Sequence, residues 1–135
     1  MIIQRIKIRN YKTYLSLDLD LSVNDERSIV LIGGQNGGGK TTLFEAICGV
    51  LYGLKIQNRD QFTELLNDGA RGRETPKIEL ELSFSGQVLS STKRYVMRRT
   101  YILNNSGKPV ESVMLNMDGT MFTYGSASSA RDRAE

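Results

Sequence analysis

The chain has 135 residues, a formal net charge of +3, one cysteine and no histidine. That length fits one domain, and the Cys/His count excludes an internal disulfide, a Cys/His zinc site and histidine-based nucleophilic triads. No run approaches the ~20 apolar residues of a membrane helix, and Met1-Ile2-Ile3-Gln4-Arg5 lacks the pattern of a signal peptide, so a soluble cytoplasmic chain without a membrane partner is expected.

Ile6 and Ile8 alternate with Arg5, Lys7 and Arg9, which predicts a strand over 2–9. Leu15, Leu17, Leu19 and Leu21 alternate with polar residues and predict a half-buried second strand. Ile29-Val30-Leu31-Ile32 is a continuous apolar run, so residues 28–32 are expected to form a strand buried on both faces. A glycine-rich stretch over 33–39 follows. Leu43, Ile47, Val50, Leu51 and Leu54 recur at three- and four-residue steps and predict a helix over about 41–54. Cys48 lies in that helix and reads as a small core residue.

Residues 55–75 are polar and read as irregular. Ile78, Leu80, Leu82 and Phe84 mark a further strand, Ser85-Gly86 a turn, and Tyr95, Met97, Arg99 and Tyr101 the next strand. Asn104-Asn105-Ser106-Gly107 is a turn. Asp118-Gly119 is a hairpin turn between 113–117 and 121–124. Residues 131–135 have the composition to open a helix. The basic residues of 5–12 and 93–99 read as solvated strand faces, with contact to a phosphate backbone as the alternative.

Gly34-Gln35-Asn36-Gly37-Gly38-Gly39-Lys40-Thr41 satisfies G-x-x-x-x-G-K-[ST] at every fixed position, between a strand signal and a helix signal. Glycines let backbone N–H groups converge on an anion. The helix start directs further N–H groups and its positive dipole end to the same point. Lys40, the expected catalytic residue, places an ammonium between the β- and γ-phosphates. The Thr41 hydroxyl is the expected Mg²⁺ ligand, and Thr42 reaches an α-phosphate oxygen. The expected ligand is ATP with Mg²⁺. Hydrolysis also needs an acidic residue and a group that orients water. Leu82–Gln87 faintly echoes an ABC signature and Val113–Asp118 a Walker B strand, but a turn explains each, so the catalytic acid is expected outside this chain.

Two segments resemble the SMC-like and RecF-like ABC ATPases. Arg5-Ile6-Lys7-Ile8-Arg9-Asn10-Tyr11-Lys12-Thr13 is similar to their opening strand and N-[FY]-[RK]-[ST] element. Gly34 to Ile47 is similar to their G-x-N-G-x-G-K-[ST]-[ST]-L-x-[DE]-A-I block, with Asn36 and Glu45-Ala46-Ile47 setting it apart from generic P-loops. Ile32-Gly33-Gly34 and Leu51-Tyr52-Gly53 most resemble the ATPases of bacterial DNA sulfur modification, the DndD group. Phe62-Thr63 with Gly69-Ala70-Arg71 is similar to the SMC-like ATPases of double-strand-break repair. The likeness is specific over about 1–54 and looser over 55–102.

The resemblance implies an α/β P-loop fold over 1–135: lobe I of an ABC-type head, with a mixed sheet and an antiparallel β subdomain. It implies that the chain is the first half of a head, as in a truncated domain, stopping before the Q-loop. It also implies three partners: the C-terminal half of the same head, a second head joined through ATP, and, in the full protein, DNA. Lys12, with Thr13 beside it, is then a candidate for the phosphates, although lysine gives up arginine's bidentate geometry. Phe62, Thr63 and Gly69-Ala70-Arg71 are candidates for the base or ribose. Two other classes stay open: a small self-contained P-loop kinase using Arg71, Arg73 and Arg94, and a DNA-binding module with a silent P-loop.

Overall fold

The computed structural model describes residues 1–24, 26, 28–34 and 39–124, except the side chain of Tyr124. Six strands form one sheet: β1 (Ile2–Tyr11), β2 (Tyr14–Asp20), β3 (Lys77–Val88), β4 (Ser91–Leu103), β5 (Pro109–Met117) and β6 (Thr120–Tyr124). The order is β2-β1-β3-β4-β5-β6 and every pairing is antiparallel. Between β2 and β3 lie the helices α1 (Lys40–Tyr52) and α2 (Arg59–Leu65), then a 3-10 turn at Asp68–Ala70. The architecture is α/β, as expected.

Alternation decides which face is which. Ile6 and Ile8 of β1, Ile78, Leu80 and Leu82 of β3, and Tyr101 of β4 are fully or almost fully buried. They pack with Leu43, Ala46 and Val50 of α1 and with Phe62, Leu66 and Ala70. The opposite face carries the basic residues in an ion-pair ladder. Arg5 meets Asp18 at 2.6 Å, Lys7 meets Glu81 at 3.5 Å, and Arg98 meets Glu81 at 2.7 Å and Glu79 at 3.3 Å. A charged face is what the alternation predicts, and its charges are mostly paired with each other.

Three local expectations change. Residues 28–34 form no strand, and Ile29 and Leu31 are 78% and 90% exposed. A strand buried on both faces needs neighbours on each side, and the described sheet supplies none there. Ser85 and Gly86 are not a turn: they pair with Arg94 and Lys93 inside a β3–β4 hairpin that closes later, at Val88–Ser91. Cys48 is exposed rather than buried, because it faces away from the sheet while Leu43, Ala46 and Val50 face toward it.

The segment 55–75 is more ordered than its polarity suggests. Asn58 caps α2, its side chain accepting from the Gln61 N–H at 2.8 Å, with Asp60 in the first turn. The Asp118-Gly119 hairpin is present, with both residues at positive φ, 49° and 91°. That is the geometry such a two-residue turn requires. The expected helix opening at 131–135 lies outside the described residues.

Candidate functional site

Helix α1 begins at Lys40, the lysine of the glycine-rich motif. Its N-cap, Gly39, has a left-handed φ of 96°, with no side-chain cap and no acidic residue in the first turn. The N-terminal N–H groups and the positive end of the helix dipole therefore meet no fixed negative charge from α1 itself. The first α1 residues divide by burial: Thr41 is exposed, whereas Thr42 is buried. Lys40 Nζ donates to the Gly34 carbonyl at 2.7 Å, which brings the two ends of the motif together. Gln35, Asn36, Gly37 and Gly38 lie outside the described residues.

The β1–β2 turn forms the wall of this site. The Tyr14 hydroxyl donates to the Gly39 carbonyl at 2.9 Å. A Cβ at position 39 would stand 2.6 Å from that hydroxyl and 3.1 Å from Thr13 Oγ1. The left-handed backbone angle favours glycine at 39, and a Cβ there would also displace the ends of the Tyr14 and Thr13 side chains. Thr13 is consequently brought beside Gly39, whereas Lys12 lines a cleft along α1 with Glu45, Cys48 and Tyr52. Lys12 Nζ pairs with Glu45 Oε2 on α1 and lies 5.7 Å from the centre of the Tyr11 ring. The Tyr11 phenol is pushed up to about 12, first by burial and then by the neighbouring Glu45 carboxylate.

The other candidates are placed elsewhere. Phe62 is in the core at 1% exposure and offers no ring face to a ligand. Thr63 and Arg71 line a separate cleft of about 690 Å³ against the β4–β5 turn, whose lining includes no described P-loop residue. Arg71 is engaged with Asp68 at 3.2 Å and with the Thr63 carbonyl at 3.2 Å. Asp118 is a turn residue: its carboxylate accepts from the Arg94 N–H at 3.0 Å and faces Lys93 at 3.5 Å. The Arg94 N–H is also the main cause that holds Asp118 below the usual carboxylate range. Among the described residues no group of three or more His, Cys, Asp or Glu side chains is arranged to hold a metal. Magnesium often takes only one or two protein ligands beside phosphate and water, and the exposed Thr41 hydroxyl fits that role.

Residues that composition did not single out complete the site's support. Arg99 of β4 donates from Nε to the Val50 carbonyl at 2.5 Å and from NH2 to the Leu51 carbonyl at 3.3 Å, capping the last turn of α1. Its NH1 donates to Glu111 of β5 at 2.5 Å. The Tyr101 hydroxyl accepts from the Leu54 N–H at 2.8 Å, just past the same helix end. The sequence does carry a signal for Arg99, since it falls in the inward register with Met97 and Tyr101.

The Gly34–Thr41 motif leads into a helix that lies on this antiparallel sheet, an α/β arrangement. The AAA domain family matches residues 5–129, and the chain belongs to that family. Among its relatives is the DNA double-strand break repair Rad50 ATPase of Nanoarchaeum equitans (strain Kin4-M), 33% identical over 87% of this chain and 13% of that protein. The DNA replication and repair protein RecF of Carboxydothermus hydrogenoformans is 30% identical over 91% of this chain and 33% of its own length. The chain thus spans a third or less of these relatives. In fold it resembles a solved chain from work on ATP-driven dimerization and DNA-stimulated activation of SMC ATPases. That match has a TM-score of 0.54 and 19% identity, and it covers 90% of this chain and 72% of that one.

Proposed function

We propose that this chain is the ATP-binding N-terminal lobe of an SMC-like DNA-processing ATPase. The observation that carries the reading is the uncapped start of α1 at Lys40, with Gly39 left-handed against Tyr14 and the Lys40 ammonium returned to Gly34. In this reading the backbone N–H groups at the start of α1 and the Lys40 ammonium hold the polyphosphate. Thr42 supplies a hydroxyl toward the α-phosphate, and the residues 35–38 complete the loop. The Thr41 hydroxyl holds Mg²⁺, which when bound neutralises charge on the phosphate oxygens.

Hydrolysis is assigned to a second half of the head. The apolar segment Ile29–Ile32 is exposed, and so is the α1 stripe of Phe44, Cys48 and Tyr52. Both surfaces suit further strands of a parallel core contributed by the C-terminal half of the same polypeptide. A second head and DNA are the further partners of the reading. A self-contained kinase gains no support: Arg71 is already paired, and Arg71 and Arg73 line a cleft apart from the P-loop.

Within this class the similarity to Rad50 supports a role in break repair. The Ile32-Gly33-Gly34 and Leu51-Tyr52-Gly53 details support the sulfur-modification branch. Deleting the gene separates them: loss of sulfur from DNA marks the second branch, and sensitivity to double-strand breaks the first. The nucleotide reading itself is tested by calorimetry of Mg-ATP with the parent chain and Lys40→Ala. The parent is expected to bind and the variant to lose binding; equal binding by the two removes the assignment.

A further inference from the structure

The cleft between α2 and the β4–β5 turn, about 690 Å³ in volume, has three arginines in its lining, Arg59, Arg71 and Arg73, against one carboxylate, Glu74. Arg71 is engaged with Asp68 and with the Thr63 carbonyl. Arg59 and Arg73 have no ion-pair partner among the described residues. On the charged face of the sheet, by contrast, Arg5 and Arg98 are bonded to carboxylates of neighbouring strands. The cleft is therefore a place where positive charge is gathered and left unneutralised.

Its walls are fixed by local bonds. On one side Arg59 is the first residue of α2, directly after the Asn58 cap. On the other, the Asn104 side chain accepts from the N–H groups of Ser106 and Lys108, both at 2.9 Å, and the Gly107 N–H donates to the Asn104 carbonyl at 2.9 Å. A Cβ at Gly107 would stand 3.8 Å from Arg59 Cδ, so the arginine stem lies alongside this turn. The Arg73 N–H donates to the carbonyl of the buried Ala70 at 3.4 Å. Pro76, Ile102 and Leu103 add apolar surface to the lining, and Ile102 is 41% exposed. A frame that is already ordered lowers the entropic cost of binding. Two classes of polyanion answer such charge, a nucleic-acid strand and an acidic protein segment. Single strands are held by stacking bases on exposed aromatic rings. The one aromatic residue in the lining is Phe62, 1% exposed, and no lysine joins the arginines there. Guanidinium forks match carboxylates bidentately, and Ile102 and Leu103 suit apolar side chains carried between the acidic ones.

We propose that this cleft is a docking site for an acidic protein segment with interspersed apolar residues. Arg59 and Arg73 hold its carboxylates, and its apolar side chains lie against Ile102 and Leu103. The lining includes no described residue of the Gly34–Thr41 motif, so the inference stands apart from the nucleotide-binding reading.

The test is fluorescence anisotropy with a dye-labelled peptide of alternating aspartate and leucine, using the parent chain, Arg59→Gln with Arg73→Gln, and Arg98→Gln from the sheet face, each with its melting curve. The parent is expected to bind, and the double variant to bind about three- to tenfold more weakly, the range of two solvent-accessible ion pairs. Arg98→Gln is expected to bind as the parent does. Asn105→Trp, which narrows the cleft without changing its charge, is expected to weaken binding as well. Absence of binding by the parent overturns the proposal, and so does an equal loss from Arg98→Gln. Equal binding of a peptide of alternating lysine and leucine removes the charge argument and overturns it too. An oligodeoxythymidylate of the same charge that binds as tightly, with the same loss in the double variant, makes the cleft a nucleic-acid site and overturns the assignment to a protein segment.

Discussion

The Arg99 guanidinium caps the Val50 carbonyl across the boundary between sheet and helix. One side chain from β4 thereby bonds the last turn of the P-loop helix, while Glu111 of β5 balances its charge. The pair is nearly dry, with side chains 10% and 13% exposed. Breaking a buried pair from one side leaves the other charge uncompensated, which typically costs about 3–5 kcal/mol.

Arg99→Ala is therefore expected to lower stability by about that amount, measured by urea unfolding. The loss should be larger than that of Arg98→Ala, whose partly exposed bridges to Glu79 and Glu81 lie on the solvated face. Amide exchange at the Gly53 N–H, which bonds the Gly49 carbonyl, should also accelerate. Equal effects from the two arginine variants would remove the capping role.

Alkaline pH tests the buried phenols. Tyr11 is pushed up to about 12 and Tyr101 is also raised, in both cases first by burial, with the Glu45 and Glu111 carboxylates adding to it. In the unfolded chain tyrosine titrates near pH 10. The folded state therefore binds more protons above that pH. The stabilisation is complete below about pH 10 and is lost as pH rises toward 12 and beyond. Tyr11→Phe has no such proton to lose, so its stability should fall less steeply than the parent's between about pH 10 and 12. Parallel curves for the two proteins would contradict the burial argument.

Two leucines set the contrast between core and exposed segment. Leu80 is fully buried and Leu31 is 90% exposed. Leu80→Ala is expected to cost about 2–5 kcal/mol. Leu31→Ser should stay within about 0.5 kcal/mol of the parent chain. A comparable loss at both positions, read from urea midpoints, would mean that residues 29–32 are packed in the isolated chain.

Much of the architecture was legible because it rests on short-range pattern. Ile6/Ile8 and Ile78/Leu80/Leu82 give period-two alternation, Leu43 and Val50 the helical stripe, and Asp118-Gly119 the hairpin turn. Gly39 and Lys40 could be placed from sequence because the Gly34–Thr41 motif precedes a helical stripe, and α1 does begin there. The segment Ile29–Ile32 misled because its pattern describes a neighbourhood that the described sheet does not provide. Helix α2 escaped because it is short and has little periodicity; Asn58 and Asp60 were its only local signs. Glu45 was visible as part of a motif but not as a partner of Lys12, since that contact depends on how the β1–β2 turn is tied to Leu65 and Asn67.

The order of the sheet has a consequence for how this chain tolerates change. Strands β3 to β6 follow one another as hairpins, whereas β1 reaches β3 only after the whole excursion over 21–76 that carries the P-loop, α1 and α2. The excursion is a loop whose ends are clamped by the β1–β2 and β1–β3 pairings. Closing such a loop grows more costly only with the logarithm of its length, roughly 0.6 kcal/mol for each doubling. The connection ahead of the glycine-rich motif can therefore lengthen or shorten at little cost, whereas the segment after α2, held by Leu66, Asn67 and Ala70, cannot.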